Sequence, residues 1–198
     1  QHLTIIVDAM REGVALSMTY HSFHREEPST FEVEPYCVKL FEQRWYMLGK
    51  SEGYDELRLY ALDRIKALEP TECKFKLPNK FDAAKFFEDY YGIIIGDEDF
   101  EVEPVALKVN SWQSKYLRTL PLHHTQVEVE RNEEYSIFEY RLCPSFDFQQ
   151  KLLSMGDSVG ALAPVALRDI LRKKAETTAN NNALGGMGSG YHFKVYKE

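Results

Sequence analysis

The chain has 198 residues, 44% of them hydrophobic and 28% charged, with a formal net charge of −7 at pH 7. That balance is ordinary for a soluble globular protein of one large or two small domains. It excludes a chain that coats duplex DNA with a basic face, and no apolar run is long enough to cross a bilayer. The acidity is local, because residues 81–103 hold eight Asp and Glu against a single Lys. Cys37, Cys73 and Cys143 are odd in number and widely spaced, which predicts reduced thiols in a cytoplasmic protein. The start at Gln1-His2-Leu3 has neither an initiator Met nor a basic-then-apolar leader, so a piece of a longer protein is expected, with something removed upstream.

Leu3, Ile6, Val7 and Met10 form the i, i+3, i+4, i+7 stripe of a short amphipathic helix that Gly13 ends. Residues 15–23 alternate loosely as a first strand, and 24–30, with Pro28, read as a loop. Phe31, Val33, Val38 and Leu40 alternate with polar neighbours, and the aromatic and apolar runs at 45–47 and 57–60 follow. Three strands are expected, near 31–41, 43–50 and 55–61. Gly49 and Gly53, with Ser51 and Asp55, are expected to turn the chain between the last two. Leu62-Asp63-Arg64 reads as one tight turn before a strand over 65–69. A helix and five short strands are the inventory of a small SH3-like or Sm-like barrel.

Residues 81–91 read as an aromatic helix capped by Gly92, then Ile93 to Ile95 as an extended apolar clip, and 96–103 as an acidic linker whose composition marks a domain boundary. A second pattern starts at Pro104. It gives a strand over 105–109, a helix from Ser111 to about Thr119, and a hairpin of 126–130 with 136–142. A helix over 146–155 closed by Gly156, a strand over 159–163 and a helix over 164–174 complete it. The order βαββαβα suggests a ferredoxin-like split-βαβ unit with an extra helix. The tail is Asn-, Gly- and Ser-rich and is expected to be flexible, apart from a strand-like alternation over 191–196 that could add to a sheet edge but is more simply read as a disordered end. The fold class is therefore α+β. The divisions are 1–80 for a barrel with its N-terminal helix, 81–103 for a linker, 104–176 for a ferredoxin-like domain and 177–198 for a tail.

The chemistry-bearing set is a group of arginines among aromatic residues. Residues i and i+2 of a strand share a face, so Arg44 and Tyr46 point one way and Trp45 and Met47 the other. Arg58 and Tyr60 share a face opposite Leu57, Leu59 and Ala61. With the apolar set in the core, the Arg/Tyr set projects from one side, near Tyr20, His21 and Tyr36. Guanidinium groups bind phosphate bidentately and aromatic faces stack on bases, which suits a nucleotide or a short single-stranded nucleic acid. The competing account is structural: Arg58 and Arg64 lie close in sequence to Glu56 and Asp63, and Tyr60 can simply cover the core edge.

Val33-Glu34-Pro35-Tyr36, Arg44-Trp45-Tyr46-Met47, Leu57-Arg58 and Leu62-Asp63-Arg64-Ile65, in this order and spacing, resemble a WYL domain, the sensor module of many bacterial transcription regulators. The triplet is WYM here, a change of little volume. The resemblance continues, with weaker motifs, to about Lys174, where the family's usual C-terminal companion domain fits. It implies a ligand-sensing and dimerising fragment that senses a nucleotide or short single-stranded nucleic acid. It implies further that this fragment controls a winged helix-turn-helix domain upstream of Gln1, which would bring DNA as a partner. Carried over residue by residue, the ligand falls to Arg58, Arg64 and Tyr46, then to Arg44 and Tyr20, then to His21. The stretch Ser29-Thr30-Phe31-Glu32 has no basic residue where many relatives have an arginine, which favours a small ligand. The other class is a nucleic-acid- or protein-binding module of a defence or repair complex with no transcriptional role.

An enzyme is not expected, since no nucleophile, base or metal set converges, and no cofactor is implied. Gly49-Lys50-Ser51 lacks the earlier glycine of a phosphate-binding loop, and 186–190 lacks the third glycine of a dinucleotide fingerprint. His21, His24, His123 and His124 have no partners at zinc spacing. Asp97, Glu98, Asp99 and Glu101 do not fit a calcium loop. Cys37 and Cys143 read as small apolar packers. Trp112, Tyr116 and Leu117 follow helical spacing and are expected in the core.

Overall fold

A computed structural model describes residues 2–95 and 100–183 and divides into two compact units, Gln1–Glu88 and Asp89–Glu198. Both are built from antiparallel sheet and helix, so the α+β class holds. The acidic run at 97–99 and the tail features from 184 onward lie outside the described residues.

In the first unit α1 (His2–Glu12) is the expected amphipathic helix: it buries Ile6 and Ala9 and packs Leu3, Ile5 and Met10 against the same core. Gly13 ends it at φ +63, and its carbonyl accepts from Phe75 N at 2.9 Å. A Cβ there would stand 2.9 Å from the Phe75 carbonyl oxygen, so both the left-handed backbone and the close approach require glycine. The strands are β1 (Val14–Tyr20), β2 (Ser29–Phe41), β3 (Arg44–Ser51), β4 (Arg58–Ala61) and β5 (Ile65–Lys74), in the order β4-β3-β2-β1-β5. Leu62–Arg64 is a single 3₁₀ turn. The core holds Leu16, Met18, Val33, Met47, Ile65 and Leu68 with Ile6 from α1. Each such side chain contributes about 1.5–3 kcal/mol by leaving water.

Three expectations need correction. The sheet is open and not a closed barrel, because no ladder joins the end strands β4 and β5 among the described residues. A side chain serves the edge of the short β4 instead, Tyr20 Oη accepting from Ala61 N at 3.3 Å. Gly49 is not a turn residue. It lies inside β3 opposite Pro35, where a Cβ would come within 2.8 Å of the Glu34 carbonyl oxygen and of Val33 Cγ2, and the turn belongs to Gly53 at φ +80. β5 runs on past Pro70 to Lys74, since an edge strand tolerates proline and the β1–β5 ladder is irregular just there.

After β5 the chain lays aromatic rings on Tyr36: Phe75 stacks at 6.3 Å and Phe81 meets it edge-on at 5.0 Å. The helix expected over 81–91 is only α2 (Ala83–Phe87), its first turn fixed by Asp82, whose Oδ1 accepts from Ala84 N and Lys85 N. Gly92 does not cap it. It lies against Asp147 in the second unit, where a Cβ would collide with the carboxylate. Asp147 Oδ2 accepts from Ile93 N at 2.7 Å and Ile94 N at 2.8 Å, which fixes the backbone there.

The second unit contains β6 (Glu103–Asn110), α3 (Ser111–Thr119), β7 (Val127–Arg131), β8 (Tyr135–Leu142), α4 (Phe146–Ser154), β9 (Val159–Ala163) and α5 (Val165–Asn182), with strand order β7-β8-β6-β9. Val105, Leu107 and Val109 alternate into a core with Phe138, Leu142, Phe148 and Leu167. Asn110 caps α3: its side chain accepts from Gln113 N at 2.8 Å. Leu117 is buried as expected, but Trp112 and Tyr116 are 63% and 53% exposed. Residues 112 and 116 lie one helical turn apart on the side of α3 away from the sheet. α5 continues to Asn182, eight residues beyond its expected end, so residues 177–182 are helical. Thr177, Thr178 and Asn182 bond back to the carbonyl four residues earlier, and Arg172 pairs with Glu176. No described helix is long and apolar enough to cross a membrane.

Candidate ligand-binding site

The β3–β4 register decides which side chains share a face. Met47 lies opposite Tyr60 and Gly49 opposite Arg58, while Tyr46 lies opposite Ala61 and Leu48 opposite Leu59. Arg58 and Tyr60 therefore belong to the face of Met47, which is the core face, and Arg44 and Tyr46 to the other. The expected single Arg/Tyr face does not form.

Tyr60 and Tyr20 are core residues, 6% and 8% exposed. They meet edge to face at 5.2 Å, and Phe31 covers Tyr60 at 5.6 Å. Tyr60 Oη and Ser51 Oγ share a buried hydrogen bond of 2.6 Å. Burial pushes the Tyr60 phenol above its ordinary value, a rise that the Ser51 bond partly offsets. A tyrosine can thus sit among apolar side chains because its one polar atom has a partner. Tyr46 is half-buried on the opposite face. Arg44 Nε lies 3.3 Å from Asp63 Oδ2 in a surface pair, beside a hollow of ≈ 420 Å³ that Trp45 and Leu62 also line.

Arg58 and Arg64 differ from Arg44 in having no carboxylate within ion-pair distance among the described residues. Each lies instead on an aromatic ring, Arg58 Cζ 4.0 Å from the Tyr54 centroid and Arg64 Cζ 3.7 Å from that of Phe23. The Arg64 Nε is buried and has no hydrogen-bond partner among the described residues. His21 is tied to Arg64 through the backbone, its N–H donating to the Arg64 carbonyl at 3.1 Å. The Tyr20–Tyr60 contact links β4, which carries Arg58, to the end of β1, and the next residue, His21, bonds the Arg64 backbone. A larger hollow of ≈ 500 Å³ beside Tyr54 is lined by Glu32, Glu34, Glu52 and Asp55 against Lys50 and Lys74, a balance that repels an anion.

Ser51, Tyr54 and Phe23 were not legible as site residues. Tyr54 and Phe23 stand in loops, where no periodicity assigns a direction, and Ser51 reads as a turn residue. No group of His, Cys, Asp and Glu among the described residues has the arrangement of a metal site.

Comparison with known proteins adds three findings. A structure described as a CRISPR Cas-related protein shares the fold over 89% of this chain and 49% of its own, with a TM-score of 0.51 and 14% sequence identity. The proteasome accessory factor B/C (PafBC) of Arthrobacter aurescens is 22% identical over 87% of this chain and 26% of its own, with a TM-score of 0.39. The chain therefore spans about half of the first protein and about a quarter of the second. No curated protein matches. The family model of the WYL domain matches residues 1–70, which hold α1, β1 to β4 and most of β5. The likeness to the WYL domain thus rests on residues 1–70 of this chain.

Proposed function

We propose that this chain is the ligand-sensing and dimerising region of a bacterial transcription regulator, and that the ligand is a nucleotide or a short single-stranded nucleic acid. One observation carries the reading. Among the described residues Arg58 and Arg64 are cations without a carboxylate partner, each backed by an aromatic ring, and Arg64 keeps a buried N–H without an acceptor. A guanidinium held by its face leaves its edge for a phosphate, and the rings beside it offer stacking to a base. Arg58 and Arg64 hold the phosphates, His21 lies at the rim, and Tyr20 and Tyr60 form the floor beneath. Arg44, neutralised by Asp63, and Tyr46, on the other face, stand outside the ligand contact.

The mechanism is a population shift. The ligand favours one arrangement of a homodimer and so biases a winged helix-turn-helix domain preceding this segment on its operator. The protein acts in the cytoplasm and binds without catalysing. The strand orders β4-β3-β2-β1-β5 and β7-β8-β6-β9 support reading the units as an opened SH3/Sm-like sheet and a ferredoxin-like split βαβ. The test is calorimetric titration of the chain with single-stranded dT tetranucleotide and with thymidine monophosphate. Changing Arg58 and Arg64 together to Ala weakens binding of both ligands while thermal unfolding stays cooperative. Unchanged binding contradicts the reading.

A further inference from the structure

The loop between β1 and β2 is organised by Ser22. Its carbonyl accepts from Arg25 N at 3.1 Å and its Oγ from His24 N at 3.3 Å, which builds a tight turn with Phe23 and His24 at the corner. The turn carries a large apolar ring out of the fold, and Phe23 is 75% exposed. Its ring touches no other aromatic ring among the described residues. What it does touch is the Arg64 guanidinium, 3.7 Å from its centroid. One face of the ring is thus on a cation and the opposite face is in solvent. The cation beneath has a buried Nε–H without an acceptor among the described residues. An exposed phenylalanine costs solubility and gives this fold no core packing, so its placement on a phosphate-binding group calls for a ligand with an apolar face.

We propose that Phe23 is the base-stacking residue of this site: a nucleobase lies on the outer face of the ring while its phosphate meets the edge of Arg64. The inference rests on the function proposed above and narrows it. The ligand must carry a base beside a phosphate, and a bare phosphate or sugar phosphate uses only half the site. Stacking on aromatic side chains is tolerant of base identity, so the site selects for the presence of a base and not for its sequence.

The experiment compares single-stranded dT tetranucleotide with an abasic tetramer of the same length and charge, titrated into the full chain, its F23A and F23W variants and its Arg64→Ala variant. The wild-type chain binds the dT tetramer about tenfold more tightly than the abasic one. F23A loses that preference while its unfolding midpoint stays unchanged, F23W retains the preference, and Arg64→Ala weakens both ligands. If F23A keeps its preference for the dT tetramer while Arg64→Ala still weakens binding, the stacking role is overturned and the phosphate site stands. If the wild-type chain binds neither tetramer, the proposed function falls and the stacking role with it.

Discussion

Ser51 and Tyr60 offer a perturbation whose outcome separates a core tyrosine from a ligand-facing one. Their side chains share a buried 2.6 Å hydrogen bond, with Ser51 2% and Tyr60 6% exposed. Tyr60→Phe leaves Ser51 Oγ without a partner, and Ser51→Ala leaves the phenol without one. An orphaned buried polar group costs about 1–3 kcal/mol. In a unit spanning Gln1–Glu88, each kcal/mol lowers the unfolding midpoint by roughly 4–8 °C. The double variant removes both polar atoms, so its loss falls short of the sum by about 1 kcal/mol or more. The chain has two tryptophans, Trp45 in the first unit and Trp112 in the second. Urea unfolding followed by Trp45 fluorescence in a Trp112→Phe background therefore reports on the first unit alone. Strictly additive losses refute the argument, and so does a Tyr60→Phe variant that loses dT tetranucleotide binding at unchanged stability.

Two further predictions concern the second unit. Leu117→Ala removes a buried side chain and costs about 2–5 kcal/mol, whereas Trp112→Ala, on the exposed side of the same helix, changes urea stability by about 0.5 kcal/mol or less. The second is a pH dependence. Arg118 bonds both carboxylate oxygens of Glu128, through Nη2 at 2.6 Å and Nε at 2.9 Å, and these bonds hold the Glu128 carboxyl at about 2 against an ordinary 4.5. A carboxyl depressed in the folded state stabilises fully above its ordinary value and loses that contribution as pH falls through its folded one. The stability gap between the wild-type chain and Glu128→Gln therefore closes between pH 4.5 and 2. A gap that is constant over that window, measured by urea unfolding, contradicts the assignment.

How far the sequence could be read depended on whether a feature was local. α1 with Gly13, and β9 over the very residues expected, follow from periodicity and glycine placement within a dozen residues. The face of Tyr60 was not legible. Alternation groups Arg58 with Tyr60 and Arg44 with Tyr46, but the register between β3 and β4 is set by the turn that joins them, and that turn places Tyr60 opposite Met47. Helical spacing put Trp112 with Leu117, yet on a short helix lying on a sheet only one side is covered, and spacing alone does not say which. β5 passes Pro70 because its position at the sheet edge, a tertiary fact, removes the cost of the missing donor. Among the candidate site residues, Arg58 and Arg64 were visible through their place in the WYL pattern. Phe23 and Tyr54, which lie on them, were hidden because loop side chains carry no periodic signal.

The measurement that bears most directly on the sensor reading is the salt dependence of dT tetranucleotide binding, in the wild-type chain and in the chain with Arg58 and Arg64 both changed to Ala. Each phosphate contact on a single strand contributes about 0.7 to the slope of log affinity against log salt. Loss of both arginines should therefore make the slope shallower by about 1.4. A slope that does not change would mean that neither guanidinium meets a phosphate, and the sensor reading would be wrong.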